Sequence, residues 1–132
     1  MIMRRGISPS TLLRAYFEDA QLNSDVLQQC EISGASFKSI QLSHLDLSGR
    51  DLNRVDFVGS FLEEADFSNS NLEGAVFHNS KLRGANFSNA NLTLARFENT
   101  DLTRALLVNA KLERNISRCK PKYGQRSRSQ LF

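Results

Sequence analysis

From Ala65 to Asn99 the chain reads ADFSN-SNLEG-AVFHN-SKLRG-ANFSN-ANLTL-ARFEN. The third residue of every group of five is Phe or Leu: Phe67, Leu72, Phe77, Leu82, Phe87, Leu92 and Phe97. Followed outward, the beat holds from Phe17 to Leu112, with Phe, Leu or Ile at every fifth position. A period of five fits neither the 3.6 of a helix nor the 2 of a strand. On a helix, steps of five turn by roughly 140° and scatter the apolar stripe over all faces. On a strand, odd steps put successive members on opposite faces. The backbone must therefore turn a corner in each unit so that every central side chain returns to one axis, which makes the chain a solenoid.

A slower order lies over the first. Phe17, Phe37, Phe57, Phe77 and Phe97 stand twenty apart, and so do Leu22, Leu42, Leu62, Leu82 and Leu102. Stacking at fifteen would mix residue types, whereas like side chains pack well on like in successive rungs. Four pentapeptides per coil, a square cross-section and five coils follow. At about 4.8 Å between neighbouring strands the stack stands roughly 24 Å tall.

Two residues before each centre lies a second inward position with little room. It holds small residues such as Ala65, Ser70, Ala75, Ser80, Ala85, Ala90, Ala95, Thr100, Ala105 and Ala110, and Cys30 near one end. Two residues after each centre comes the corner. It is rich in residues that tolerate unusual dihedrals, such as Gly34, Gly49, Gly59, Asn69, Gly74, Asn79, Gly84 and Asn89. Asn69, Asn89 and Asn109 share a column, where a stacked amide ladder is expected. Asp25 and Arg50 break the small-residue rule, and Ile40 and Leu45 overfill it. A buried unpaired Arg is costly, so Arg50 is expected to mark a bulged corner that swings it outward.

Ala65-Asp66-Phe67, Ala85-Asn86-Phe87 and Asn91-Leu92 resemble the A-(D/N)-(L/F)-x-x motif of the pentapeptide repeat family. The resemblance covers about three quarters of the chain. It implies an all-β fold, a right-handed quadrilateral β-helix over residues 20–114. That the chain is not an enzyme is expected on separate grounds, since a convex rod offers none of the concave, partly desolvated sites that catalysis needs. Many family members, regulatory and bacterial effector proteins among them, look like rigid interaction modules. The best-known ones resemble B-DNA in width and charge and bind DNA gyrase or topoisomerase IV in its place, conferring quinolone resistance.

Residues 1–19 are expected to cap the solenoid. Ser8 before Pro9 is a helix N-cap and first-turn pair, and Leu12, Leu13, Tyr16, Phe17 and Ala20 follow helical spacing, which predicts a short helix over 9–19. Arg4, Arg5 and Arg14 without an acid are also a weak likeness to a transit peptide. No stretch reaches the 18 apolar residues of a membrane span. Cys30 and Cys119 fall near opposite ends, too far apart to bridge; a reducing, cytoplasmic setting and no membrane partner are expected.

The formal charge of +3 conceals segregation. Residues 15–110 carry seven basic and thirteen acidic side chains. Beyond Leu112 the apolar beat stops at Ser117, and residues 115–132 are expected to form a disordered tail. Its end of the chain is basic through Arg114, Arg118, Lys120, Lys122, Arg126 and Arg128. Solubility is the plain explanation for such a tail, and nucleic-acid or acidic-partner contact the functional one.

No nucleophile elbow, phosphate loop, zinc spacing or dinucleotide fingerprint occurs. His44 and His78 fall on different coils and faces, so they cannot share a metal, and no cofactor is called for. What remains is surface. Val58, Phe61 and Val76 are apolar where neighbours are polar, and Glu63, Glu64, Asp66 and Glu73 make the third coil acidic, with Arg83 placed to screen Glu63. These seven residues are the candidate partner-binding patch. Leu106 and Val108 stand on the last coil, with Leu94 one coil below at a corner, where the tail or a second copy in a homodimer would cover them. Scattered apolar exposure is nonetheless common.

Two partner classes compete. Duplex DNA carries one negative charge per about 1.7 Å, so a 24 Å mimic needs roughly 14, well above what residues 15–110 offer. The leading expectation is a rigid module that docks a protein partner on its flat faces. A type II topoisomerase bound by DNA mimicry is the alternative, and nucleic-acid binding through the basic tail a third.

Overall fold

The computed structural model describes residues 31–113. The expected capping segment 1–19 with its helix over 9–19, the members Phe17, Leu22 and Leu27 of a first coil, both cysteines, and the basic tail from Arg114 to Arg128 lie outside the described residues.

Within them the chain winds through just over four turns. Parallel bridges link Ser36 to Asp56, Gln41 to Phe61, Asp46 to Asp66 and Asp51 to Asn71, and the series continues to Asn91 and Lys111. Every bridge joins residues twenty apart, which fixes four pentapeptides to the coil. Each pentapeptide supplies one face. Face one carries Phe37, Phe57, Phe77 and Phe97 at its centre; face two, Leu42, Leu62, Leu82 and Leu102. Face three carries Leu47, Phe67, Phe87 and Leu107; face four, Ile32, Leu52, Leu72, Leu92 and Leu112.

The corners follow from local hydrogen bonding. The N–H of Ala85 donates to the carbonyl of Leu82 at 3.0 Å, and the same tight turn recurs at Ala65, Ala75, Ala95 and Ala105. Its third residue has a left-handed φ in every unit, between 57° and 73° from Gly34 to Asn109. Gly and Asn accept that conformation readily. His44, Arg54, Glu64, Leu94 and Arg104 adopt it too, because the rungs on either side leave the corner no alternative. From Gly34 to Leu94 the N–H of each corner residue then donates upward, as Arg54 does to the Glu73 carbonyl at 2.8 Å.

The interior is a column of like on like. Phe57 and Phe77 stack at 5.2 Å between ring centroids, Phe77 and Phe97 at 4.9 Å, and Phe67 and Phe87 at 5.0 Å. Edge contacts, such as Phe67 to Phe77 at 5.8 Å, join the two stacks. Aromatic pairs of this kind add about 0.5–1.5 kcal/mol each beyond the area they bury. The fully buried polar residues each have a partner: Ser60, Ser70, Ser80 and Thr100 give their hydroxyl to the carbonyl three residues earlier.

Two local expectations are corrected. Arg50 does not bulge the backbone. Asp51 still bridges Asn71, the N–H of Asn71 donates to the Arg50 carbonyl at 2.8 Å, and the flanking corners keep their left-handed φ. The ladder outweighs the awkward side chain, which is taken in half-buried with Nη1 shut off from solvent. The amide ladder does not form at Asn69, Asn89 and Asn109. It forms one residue before the centre on face four, where Asn91 Nδ2 donates to Asn71 Oδ1 and Asn71 Nδ2 to Asp51 Oδ1, both at 3.1 Å. The corner amides are exposed, and water competes for them there.

Candidate interaction surface

Outside the core, the position before each centre has a structural task of its own. Asp66 Oδ1 accepts the N–H of Ser68 at 2.9 Å, and Asp46, Asp51, Asp56, Asn71, Asn86, Asn91 and Asp101 repeat the bond to the residue two ahead. A short side-chain oxygen there holds the turn. This task accounts for the D/N of the repeat, and it means that one oxygen of each such Asp is already engaged. At Asp46 the Ser48 hydroxyl donates to the same oxygen at 2.6 Å. The Ser48 hydroxyl, and after it the Ser48 N–H, lower the Asp46 carboxyl below its ordinary value.

The candidate patch is distributed over all four faces. Val58 and Val76 lie on face one, Phe61, Glu63 and Glu64 on face two, Asp66 on face three, and Glu73 on face four. Only the face-two group is brought together on one rung. Phe61 is 36% exposed, and the ammonium of Lys81, one rung higher on the same column, lies 5.1 Å from its ring centroid, a cation–π contact. Glu63 Oε2 accepts the hydroxyl of Ser43 one rung below at 2.9 Å, and no ion pair joins Glu63 to Arg83 among the described residues. Glu64 approaches His44 Nδ1 at 3.6 Å, with both side chains largely exposed. Glu73 borders an open polar groove with Ser33, Gly34, Asn53, Arg54 and Asn71.

Leu106 and Val108 on the last described coil are 50% and 52% exposed, and Leu94, at a corner one coil below, is 44% exposed. Leu106 and Val108 share face three, in columns that carry Asp, Asn and Ser lower down. His78 serves the backbone: its Nδ1 accepts the N–H of Glu98, one rung above, at 3.1 Å. Among the described residues no group of three His, Cys, Asp or Glu side chains could hold a metal ion, and no helix is long and apolar enough to cross a membrane.

The charge also changes along the axis. Residues 31–73 carry eight acidic and three basic side chains, whereas residues 74–113 carry three acidic and five basic ones. Sequence reasoning missed this polarity, because it summed the solenoid as one body instead of rung by rung.

A square column with an apolar interior and polar outer columns defines a β-helical solenoid whose surface is the part free to act. The pentapeptide repeat model matches residues 30–69, 51–89 and 70–109, with eight copies, and the chain belongs to the pentapeptide repeat family, whose fold is a right-handed β-helix. Among solved structures it is similar to a pentapeptide repeat protein of the Arabidopsis thaliana thylakoid lumen, at 36% identity and a TM-score of 0.56. That match covers 62% of this chain and 59% of the other. It is also similar to a pentapeptide repeat protein of Nostoc, at 24% identity and a TM-score of 0.47 over 62% and 68% of the two chains. A third match is QnrB1, a plasmid-mediated fluoroquinolone resistance protein, at 16% identity and a TM-score of 0.42 over 67% and 66%. No curated protein matches the chain significantly.

Proposed function

We propose that the protein is a non-enzymatic, rigid interaction module that docks a protein partner through face two. The observation that carries this is the rung Phe61, Glu63, Glu64. An aromatic ring is held in place by Lys81 beside two carboxylates that turn geometry does not require, on a backbone that every neighbouring rung makes rigid. Rigid aromatic anchors beside oriented charges make contacts at low entropic cost. Asp66 and Glu73, on faces three and four, and Val58 and Val76, on face one, would meet only a partner that wraps a corner. Leu94, Leu106 and Val108 are proposed to be covered by the residues after 113 or by a second copy meeting the last coil end to end. The basic residues Arg114 to Arg128 are proposed to keep the protein soluble, and a cytoplasmic location is proposed with them.

The test is a partner captured from the native host. Phe61→Ala combined with Glu63→Arg and Glu64→Arg should abolish its retention with the circular dichroism unchanged, while Asp66→Asn, which keeps the turn bond to Ser68, should leave it. Retention by the triple variant would refute a face-two contact.

A type II topoisomerase bound by DNA mimicry is the weaker alternative. A DNA surrogate needs acid along its whole length, and here acid dominates only residues 31–73. The likeness to QnrB1, at 16% identity and a TM-score of 0.42, carries no argument for it. Purified protein that leaves gyrase supercoiling unchanged at micromolar concentration removes this alternative.

A further inference from the structure

The corner column that follows face four reads Gly34, Arg54, Gly74 and Leu94 from the bottom of the stack upward. With glycine on the rungs below and above it, the Arg54 side chain has no other corner side chain next to it. The space left over is a groove lined by Ser33, Gly34, Asn53, Arg54, Asn71 and Glu73. A Cβ at Gly74 would press on Arg54 Cγ at 3.3 Å, whereas one at Gly34 would meet nothing within 4 Å. The groove encloses about 520 Å³, within the roughly 300–1,000 Å³ of small-molecule sites.

One lining side chain is committed and the others are not. Asn71 Nδ2 donates to Asp51 Oδ1 and Asn71 Oδ1 accepts from Asn91 Nδ2, each at 3.1 Å. The Ser33 hydroxyl, the Asn53 amide, the Arg54 guanidinium and the Glu73 carboxylate make no hydrogen bond or ion pair among the described residues. Arg54 and Glu73 are nonetheless neighbours through the main chain, the Arg54 N–H donating to the Glu73 carbonyl at 2.8 Å. Two opposite charges thus stand side by side with neither neutralised by the other.

Their signs select the ligand. A lone anion drawn to Arg54 is repelled by Glu73, and Asp51, on the rung of Arg54, adds to the repulsion. A lone cation drawn to Glu73 is repelled by Arg54. A molecule that carries both charges gains at both ends. We propose that the groove is a binding site for a small zwitterion of the amino-acid class, with a carboxylate and a primary ammonium. The carboxylate takes the planar fork of Arg54, with the Asn53 amide and the Ser33 hydroxyl as further donors. The ammonium donates to the Glu73 carboxylate. Water screens exposed charges, so the affinity is weak, with a Kd of about 0.1–10 mM. The site is separate from face two and stands or falls independently of the docking surface.

Amide chemical shifts of the full 132-residue chain test it. The probes are glycine, β-alanine and γ-aminobutyrate, which differ in the distance between their charges, and the single-charge controls are acetate and methylammonium. At least one probe should saturate shifts at Gly34, Asn53, Arg54 and Gly74, about tenfold or more tightly than either control. Arg54→Gln and Glu73→Gln should each weaken that binding by about tenfold or more, with circular dichroism unchanged. Phe61→Ala should leave it as in the parent. No saturating shift with any probe up to about 50 mM overturns the inference. A control that binds as tightly as the best probe also overturns it, in favour of a lone-ion site. Binding that both Gln variants retain overturns it as well.

Discussion

The rings of Phe77 and Phe97 lie 4.9 Å apart and within 7° of parallel, one coil above the other, with no exposure to solvent. Phe77 also stacks on Phe57 below and meets Phe67 and Phe87 edge-on. Phe77→Ala should therefore destabilise the protein by about 3–5 kcal/mol, the usual cost of emptying a buried Phe site. Phe61→Ala, on the outer surface, should cost less than about 1 kcal/mol. Urea melts followed by circular dichroism separate the two. Because each coil touches only its neighbours, the Phe77 variant should also lose cooperativity before it loses all structure.

The corners give a prediction of opposite signs. Gly84 has φ +72°, and a Cβ there would come within 3.1 Å of Glu64 Cγ. Gly84→Ala should destabilise by about 1–2 kcal/mol. Leu94 already occupies the same conformation at φ +61° with a branched, exposed side chain. Leu94→Asn should relieve part of that strain and raise the melting temperature by about 2–5 °C.

Asp46 makes stability depend on pH in a definite direction. The Ser48 hydroxyl and N–H favour the carboxylate and lower its folded value below 3.8. Its contribution is thus fully present above the unfolded value and is lost as pH falls through the folded one. Asp46→Asn keeps an oxygen for the Ser48 N–H but does not titrate in this range. The stability gap between parent and variant, measured by thermal melts, should be constant above about pH 5 and close progressively below pH 4. A gap that widens on acidification would contradict the bond.

Much of the fold was legible because the core states its own rule. Phe and Leu at every fifth position leave one arrangement that buries them all, and their order at twenty selects four sides instead of three. The outward residues obey no such rule, and that is where sequence reasoning fell short. Asp66 entered the candidate patch on its charge, which is visible in the sequence, whereas its bond to Ser68 is not. The signal lay in the recurring Asp or Asn directly before the centre, which a turn-holding oxygen explains. Arg50 was expected to break the column, since burial of a charge dominates when a residue is judged alone. In place, the ladder of main-chain bonds above it carries more weight. Glu63 and Arg83 share a column as expected, yet proximity by register did not make them an ion pair.

Every assignment of a residue to a face rests on the twenty-residue register, and disulfide trapping measures it directly. With Cys30→Ser and Cys119→Ser as background, Ser68→Cys with Ser88→Cys places two thiols on adjacent rungs of one column. At about 4.8 Å between rungs their Cα atoms fall within the span a disulfide allows. Mild oxidation should join that pair quantitatively. Ser68→Cys with Arg83→Cys, fifteen residues apart on neighbouring faces, should remain reduced. A bond in the second pair and not the first would mean three pentapeptides to a coil, and would contradict the account.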